Sequence, residues 1–271
     1  MTSPVDQRRL LDAACEIARD AGRAILDVYG RDDFAVTRKS DNSPLTEADR
    51  VAHRIISLAL EKLDADVPVL SEESAPTDHE VRRKWTRYWL VDPLDGTKEF
   101  LKRNGEFTVN IALVDGHRAV LGSVYAPVLD RMYSGSLELG AWRSDAGRAA
   151  TPIAVRREAA SPLRVVGSRS HPSPELAAYL KALPPHEITD MGSSLKICLV
   201  AEGAADIYPR LGPTSEWDTA AAQAILESAG GRMIDPAGRP LRYNTKDHLL
   251  NPHFLAFGDQ RRDWLAPNSK H

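Results

Sequence analysis

Five acids in three stretches have the type and setting to do chemistry. In "VPVLSEES", residues 67–74, Glu72 and Glu73 follow directly on an apolar run. In "WLVDPLDGTKEF", residues 89–100, a second apolar run ends in Asp92 and Asp95, with Pro93 and Leu94 between them. In "TSEWDTAAAQAILESAGG", residues 214–231, Asp218 falls in the first turn of a helix-like segment opened by Thr214 or Ser215. Each acid has a plain alternative. Asp-Pro and Asp-Gly steps are ordinary turn chemistry, an acid in a first helical turn complements the helix dipole, and Glu72 reads equally as a solvated loop acid. Together they offer hard oxygen ligands on loops, with no accompanying Cys or clustered His, and that chemistry suits Mg²⁺ rather than zinc.

These acids need elements to hold them. Leu11, Ala14, Ala18, Ala21, Ile25 and Val28 recur at steps of three and four and predict an amphipathic helix that Gly30 ends. A second helix is expected from about Ala48 to Leu63. Short β-rich runs follow: "VPVL", "RYWLV", "FTVNIALV" and "AVLGSVYAPV", the last two joined through Asp115-Gly116 as a hairpin. They predict an antiparallel sheet. Beyond residue 150 the order changes to strand "LRVVG", helix from about Pro174, strand "HEITDM", helix "SLKICLVAE" stopped by Gly203, strand "ADIYP" and helix from about Glu216 stopped by Gly230. Strands alternating with helices predict an α/β layer. Two halves, 1–150 and 151–271, are the expected organisation.

The 35 basic and 38 acidic residues leave a net charge of −3 and are scattered rather than blocked, which argues against a nucleic-acid polymer as partner. Cys15 and Cys198 lie far apart in no CxxC pattern, which argues against a disulfide framework or a structural zinc site and fits a reducing cytosol. The first twenty residues mix charges into their apolar pattern, unlike a signal peptide or spanning helix, so a cytoplasmic location is expected. No Ser, Cys or His constellation for covalent catalysis is visible. His53, His79, His117, His186, His248, His253 and His271 show no ligand spacing, and the five Trp read as packing groups.

The stretches "SEES", "DPLDGT" and "WD", in this order and at this spacing, resemble the three signatures of the inositol monophosphatase superfamily of Mg²⁺-dependent, lithium-sensitive phosphatases. The resemblance spans nearly the whole chain. Within the superfamily "SDNSPLTEAD", "DGTKEF", "SRSH", "GSSLKICLVAEG" and "YPRLGPTSEWDTAA" are most similar to the bacterial 3′(2′),5′-bisphosphate nucleotidase branch, whereas inositol monophosphatases resemble "DGTTNF" at the central motif. The resemblance implies a layered αβαβα sandwich, an α/β fold of the α+β sugar-phosphatase kind. It implies that Glu72, Asp92, the Leu94 carbonyl, Asp95 and Asp218 bind two or three Mg²⁺ ions, and that the ions activate the attacking water. Asp49, Thr97 and Glu72 form the expected catalytic set, Thr97 and Asp49 as the pair that orients the water. Asp49 also fits a capping box with Thr46, and both roles can hold at once. Gly96 and Thr97 are expected to turn backbone N–H groups toward the phosphate.

Substrate choice needs a second anion site. In the resembling branch the positions of His171, Ser193, Lys196 and Arg210 bind the second phosphate and ribose, and Glu72, Leu94, Asp95, Gly96, Thr97 and Asp218 complete the substrate-binding set. On residue type alone Lys196 is a solvated helix lysine and His171 a surface helix-start residue. The resemblance thus implies hydrolysis of adenosine 3′,5′-bisphosphate to AMP and phosphate in sulfur assimilation, and leaves open a peripheral association with the cytoplasmic face of the inner membrane. The alternatives are an inositol or sugar phosphate phosphatase using the same metals, and a Mg²⁺-nucleotide binding protein without turnover, which the complete set of acids disfavours.

Overall fold

The computed structural model describes residues 4–31, 36–38, 44–168 and 173–266. The first helix, α1 (Pro4–Tyr29), buries the predicted stripe from Leu11 to Val28 and ends where the Gly30 N–H donates to the Leu26 carbonyl at 2.8 Å. A short antiparallel pair, β1 (Val36–Arg38) and β2 (Pro44–Thr46), leads into α2 (Glu47–Leu63).

The larger sheet then assembles in chain order from β3 (Val69–Ser71), β4 (Arg87–Asp95), β5 (Thr108–Asp115), β6 (Arg118–Ala126), β7 (Arg131–Ser136), β8 (Gly140–Asp145) and β9 (Thr151–Pro152). Every neighbouring pair is antiparallel except β3 and β4. Two short helices interrupt it, α3 (His79–Arg82) and α4 (Thr97–Leu101). The β5–β6 hairpin turns on Gly116 and His117, at φ 53° and 68°. Two positive φ angles in a two-residue loop match the right-handed twist of the flanking strands.

The remaining elements are β10 (Leu163–Ser168), α5 (Pro174–Ala182), β11 (His186–Met191), α6 (Leu195–Ala201), β12 (Ile207–Arg210), α7 (Glu216–Ser228), β13 (Arg232–Ile234) and β14 (Phe254–Phe257). Among the described residues the strands of this half order as β11-β10-β12-β14-β13, parallel through β11, β10 and β12 and antiparallel beyond.

Alternation along the strands sets the layers. In β4, Trp89 and Val91 face the cluster built with α1 and α2, whereas Tyr88 and Leu90 face the cluster built with α6 and α7. Successive side chains point to opposite faces, so a strand apolar throughout is one covered on both sides. On the far side of the smaller sheet Leu163, Val165, Ile207 and Trp264 pack with Tyr179 and Leu180 of α5. The order is helix, sheet, helix, sheet, helix, the αβαβα sandwich expected. Helix α7 seats directly on the larger sheet: a Cβ at Gly122 would lie 2.2 Å from the Ala221 carbonyl oxygen. The core therefore runs continuously from β4–β8 into α6 and α7.

The sequence reading anticipates none of β7, β8, β13 and β14. Among the described residues, no helix is long and apolar enough to cross a membrane.

Candidate active site

Strand β4 carries Asp92 and Asp95, three residues apart, a spacing that in a regular strand would send them to opposite faces. Asp92 pairs with Asn110 and Asp95 with Thr108, so three steps on β4 meet two steps on β5. This one-residue bulge at Pro93–Leu94 restores both acids to a common face, and it puts Asn110 and Thr108 on that face as well. Proline suits the position, having no N–H to donate to the ladder. The Leu94 N–H turns back to Asp92 Oδ1 at 3.1 Å, and the Leu94 carbonyl accepts from the Thr97 hydroxyl at 3.4 Å. Gly96, at φ 95°, makes the left-handed turn into α4 that an L side chain would strain.

The other acids arrive on neighbouring elements. Glu72 lies just beyond β3, where its N–H continues the parallel pairing to the Val91 carbonyl at 3.1 Å. Ser71 before it is fixed by the His53 Nδ1 at 2.9 Å. Asp49 is buried in the first turn of α2 and both capping contacts exist: its Oδ2 accepts from the Thr46 N–H at 2.7 Å and its N–H donates to the Thr46 hydroxyl oxygen at 3.4 Å, while the Thr46 hydroxyl donates to Oδ2 at 2.5 Å. Helix α4, which Thr97 opens, packs on β2, the strand that runs into α2. Asp218 opens α7, its Oδ2 accepting from the Ser215 N–H at 2.8 Å.

Burial pushes the Asp92 carboxyl well above the usual range, and Glu72, Asp95, Asp218 and Asp49 add to the shift as like charges. Burial and Asp95 push Asp218 up to about 8. Among the described residues none of Asp92, Asp95 and Asp218 has a salt-bridge partner.

A cavity of about 200 Å³ is lined by Asp95, Thr97 and Asp218 together with Ser193, Lys196 and Arg210. Lys196 is buried, donates from Nζ to the Ser193 carbonyl at 2.5 Å, and is pushed down to about 8 by its burial. Arg210 is buried too, with Nη2 on the Pro213 carbonyl at 2.6 Å and Nη1 on the Ser168 hydroxyl at 3.4 Å. Lys196 is thus not the solvated lysine that its residue type alone suggests. His171 lies outside the described residues. Sequence reasoning missed Ser194 and Asn110, both buried, which reach Asp95 through hydrogen bonds. Asn110 left a trace, a lone amide inside "FTVNIALV", and Ser194 stands in "GSSLKICLVAEG", a stretch from which only Ser193 and Lys196 were drawn.

The model of the inositol monophosphatase family matches residues 6–263. The chain belongs to the inositol monophosphatase family. The curated relative from Escherichia coli strain K12, named 3′(2′),5′-bisphosphate nucleotidase CysQ, is 54% identical over 246 residues, covering 90% of this chain and 98% of the relative. A relative of the same name from Haemophilus influenzae is 38% identical over 258 residues, covering 95% and 96%. Among solved structures, CysQ from Bacteroides thetaiotaomicron superimposes with a TM-score of 0.81 at 43% identity, covering 95% of this chain and 98% of that one.

Inositol monophosphatase family members are metal-dependent phosphatases, and the site can be tested against that. Among the described residues no three His, Cys, Asp or Glu side chains are arranged closely enough to hold an ion as they stand. The donor set nevertheless fits a divalent cation: Asp92 and Asp218, both buried and raised in pKa by burial and by neighbouring carboxylates, are what a hard cation stabilises.

Proposed function

We propose that the chain is a Mg²⁺-dependent phosphatase that removes the 3′-phosphate of adenosine 3′,5′-bisphosphate, giving AMP and phosphate, and that it serves sulfur assimilation from the cytoplasm. The observation that carries this reading is the pairing within one cavity of an acid wall with two buried cations, Lys196 and Arg210. A monophosphate held by metal and the Gly96–Thr97 turn leaves those cations without a purpose. The name shared by the relatives supports the same substrate. The peripheral membrane association left open by the resemblance finds no supporting feature among the described residues.

Glu72, Asp92, Asp95, Asp218 and the Leu94 carbonyl would hold two or three Mg²⁺ ions. A divalent ion there supplies positive charge for the phosphoryl oxygens and lowers the pKa of water. The chain's own groups do the rest. Asp49, its Oδ2 anchored by Thr46, would orient the attacking water together with Thr97, whose hydroxyl donates to the Leu94 carbonyl and keeps its lone pairs for the same water. Lys196 and Arg210 bind the phosphate that is not cleaved, Arg210 through a preset planar fork.

Phosphate release from adenosine 3′,5′-bisphosphate, inositol 1-phosphate and fructose 1,6-bisphosphate tests the proposal. We expect kcat/KM for the nucleotide to exceed the others at least tenfold. A preference for either of the other two would replace the reading with a sugar or inositol phosphatase.

A further inference from the structure

Asp95 commits one carboxylate oxygen entirely to the protein. Its Oδ2 accepts the Ser194 N–H at 2.6 Å and the Ser194 hydroxyl at 2.5 Å, with the Asn110 amide at 3.3 Å and the Thr108 hydroxyl at 3.4 Å as longer contacts. Among the described residues nothing donates to Oδ1. The Ser194 hydroxyl has more to do. It accepts from Asn110 Nδ2 at 2.7 Å and stands 2.8 Å from the Asp218 backbone carbonyl. A hydroxyl has one proton, so it can donate to the Asp95 carboxylate or to the Asp218 carbonyl but not to both at once. The charged acceptor gives the stronger hydrogen bond, and the Asn110 donation occupies a lone pair and limits how the hydroxyl can rotate.

We infer that Ser194 is a positioning residue that, braced by Asn110, clamps Asp95 Oδ2 so that Oδ1 is left for a divalent cation. The same hydroxyl stands between an acid on β4 of the larger sheet and the first turn of α7, which carries the opposing acid. The chain position matters: Ser194 immediately precedes α6 and Asn110 stands on β5, so two separate elements fix one oxygen. This inference rests on the metal-dependent reading above but on nothing about which phosphate ester is cleaved.

The test is calorimetric titration of Mn²⁺ alone into the full chain without substrate. Ser194→Ala removes the hydroxyl and keeps the backbone N–H. Loss of a group that orients a metal ligand weakens metal binding by about 10- to 100-fold, and we expect at least tenfold here, with an unchanged thermal midpoint in EDTA. Ser194→Thr, which keeps the hydroxyl, should restore most of the affinity. Should Ser194→Ala fail to fold, the near-isosteric Ser194→Cys, a poor donor, should show the same weakening. Wild-type affinity in Ser194→Ala or Ser194→Cys, with or without a lowered midpoint, would mean that Ser194 only joins the two sheets and would overturn the inference. A wild-type chain that takes up no Mn²⁺ would overturn the metal-dependent reading itself, a different result from an unaffected variant.

Discussion

The Lys196 ammonium lies 5.6 Å from the centre of the Tyr208 ring. Burial lowers its pKa to about 8, and an aromatic face with one carbonyl partner compensates the charge only in part. Such a cation gains most from an anion that enters the cavity. Lys196→Ala and Arg210→Ala should therefore cost about 2 to 5 kcal/mol in kcat/KM for adenosine 3′,5′-bisphosphate and much less for a monophosphate. Steady-state kinetics on both substrates decide it, since equal losses would remove these residues from second-phosphate recognition.

Asp49 combines a cap and a proposed water contact, and the two separate on substitution. Asp49→Asn keeps an oxygen for the Thr46 N–H and discards the charge. We expect the melting temperature to fall by no more than the 2–4 °C that corresponds to about 1 kcal/mol, while kcat drops at least about 100-fold. A variant that melts early yet retains its turnover per folded molecule would leave Asp49 with the capping role alone.

Asp92 and Asp218 make the metal-free fold sensitive to pH. Both carboxyls have folded pKa values above their unfolded ones, so the fold binds more protons than the unfolded chain between the ordinary carboxylate range and about 8. Stability must then fall as pH rises through that window. In EDTA the midpoint at pH 8 should lie below that at pH 6 by at least about 2–4 °C. Mg²⁺ should raise it more at pH 8 than at pH 6, because the cation replaces the protons. A gain independent of pH would contradict the assignment of these acids as ligands.

Gly122 gives the seat of α7 a direct test. With the Ala221 oxygen 2.2 Å from where a Cβ would stand, Gly122→Ala must push the helix off the sheet. Overpacking of this kind costs about 1–3 kcal/mol, and it should also weaken metal binding, since Asp218 rides on α7. Unchanged Mn²⁺ affinity in a destabilised Gly122→Ala protein would show that the acid's position does not depend on this contact.

Much of the layered fold was legible because its helices carry clear three-four stripes and its central strands are apolar on both faces. Strands β7, "RMYSGS", and β8, "GAWRSD", were not: glycine, serine and arginine disfavour an isolated strand, and the pairing of β7 to β6 and of β8 to β7 holds them. The acids announced themselves by ending apolar runs. What holds them did not, because Ser194 meets Asp95 from 99 residues away and Asn110 meets Ser194 from 84. The shared face of Asp92 and Asp95 was equally hidden, since a bulge is a property of two strands and β4 alone does not reveal it.

That extra residue in β4 makes the motif a matter of parity. On a regular strand the same two acids would have to stand two apart to share a face, and on this one they must stand three apart. A designer moving the pair onto another sheet would have to move the supernumerary residue too, or one acid would end up behind the strand. Random libraries across positions 93 and 94 should accordingly accept many changes of identity before they accept a single insertion or deletion.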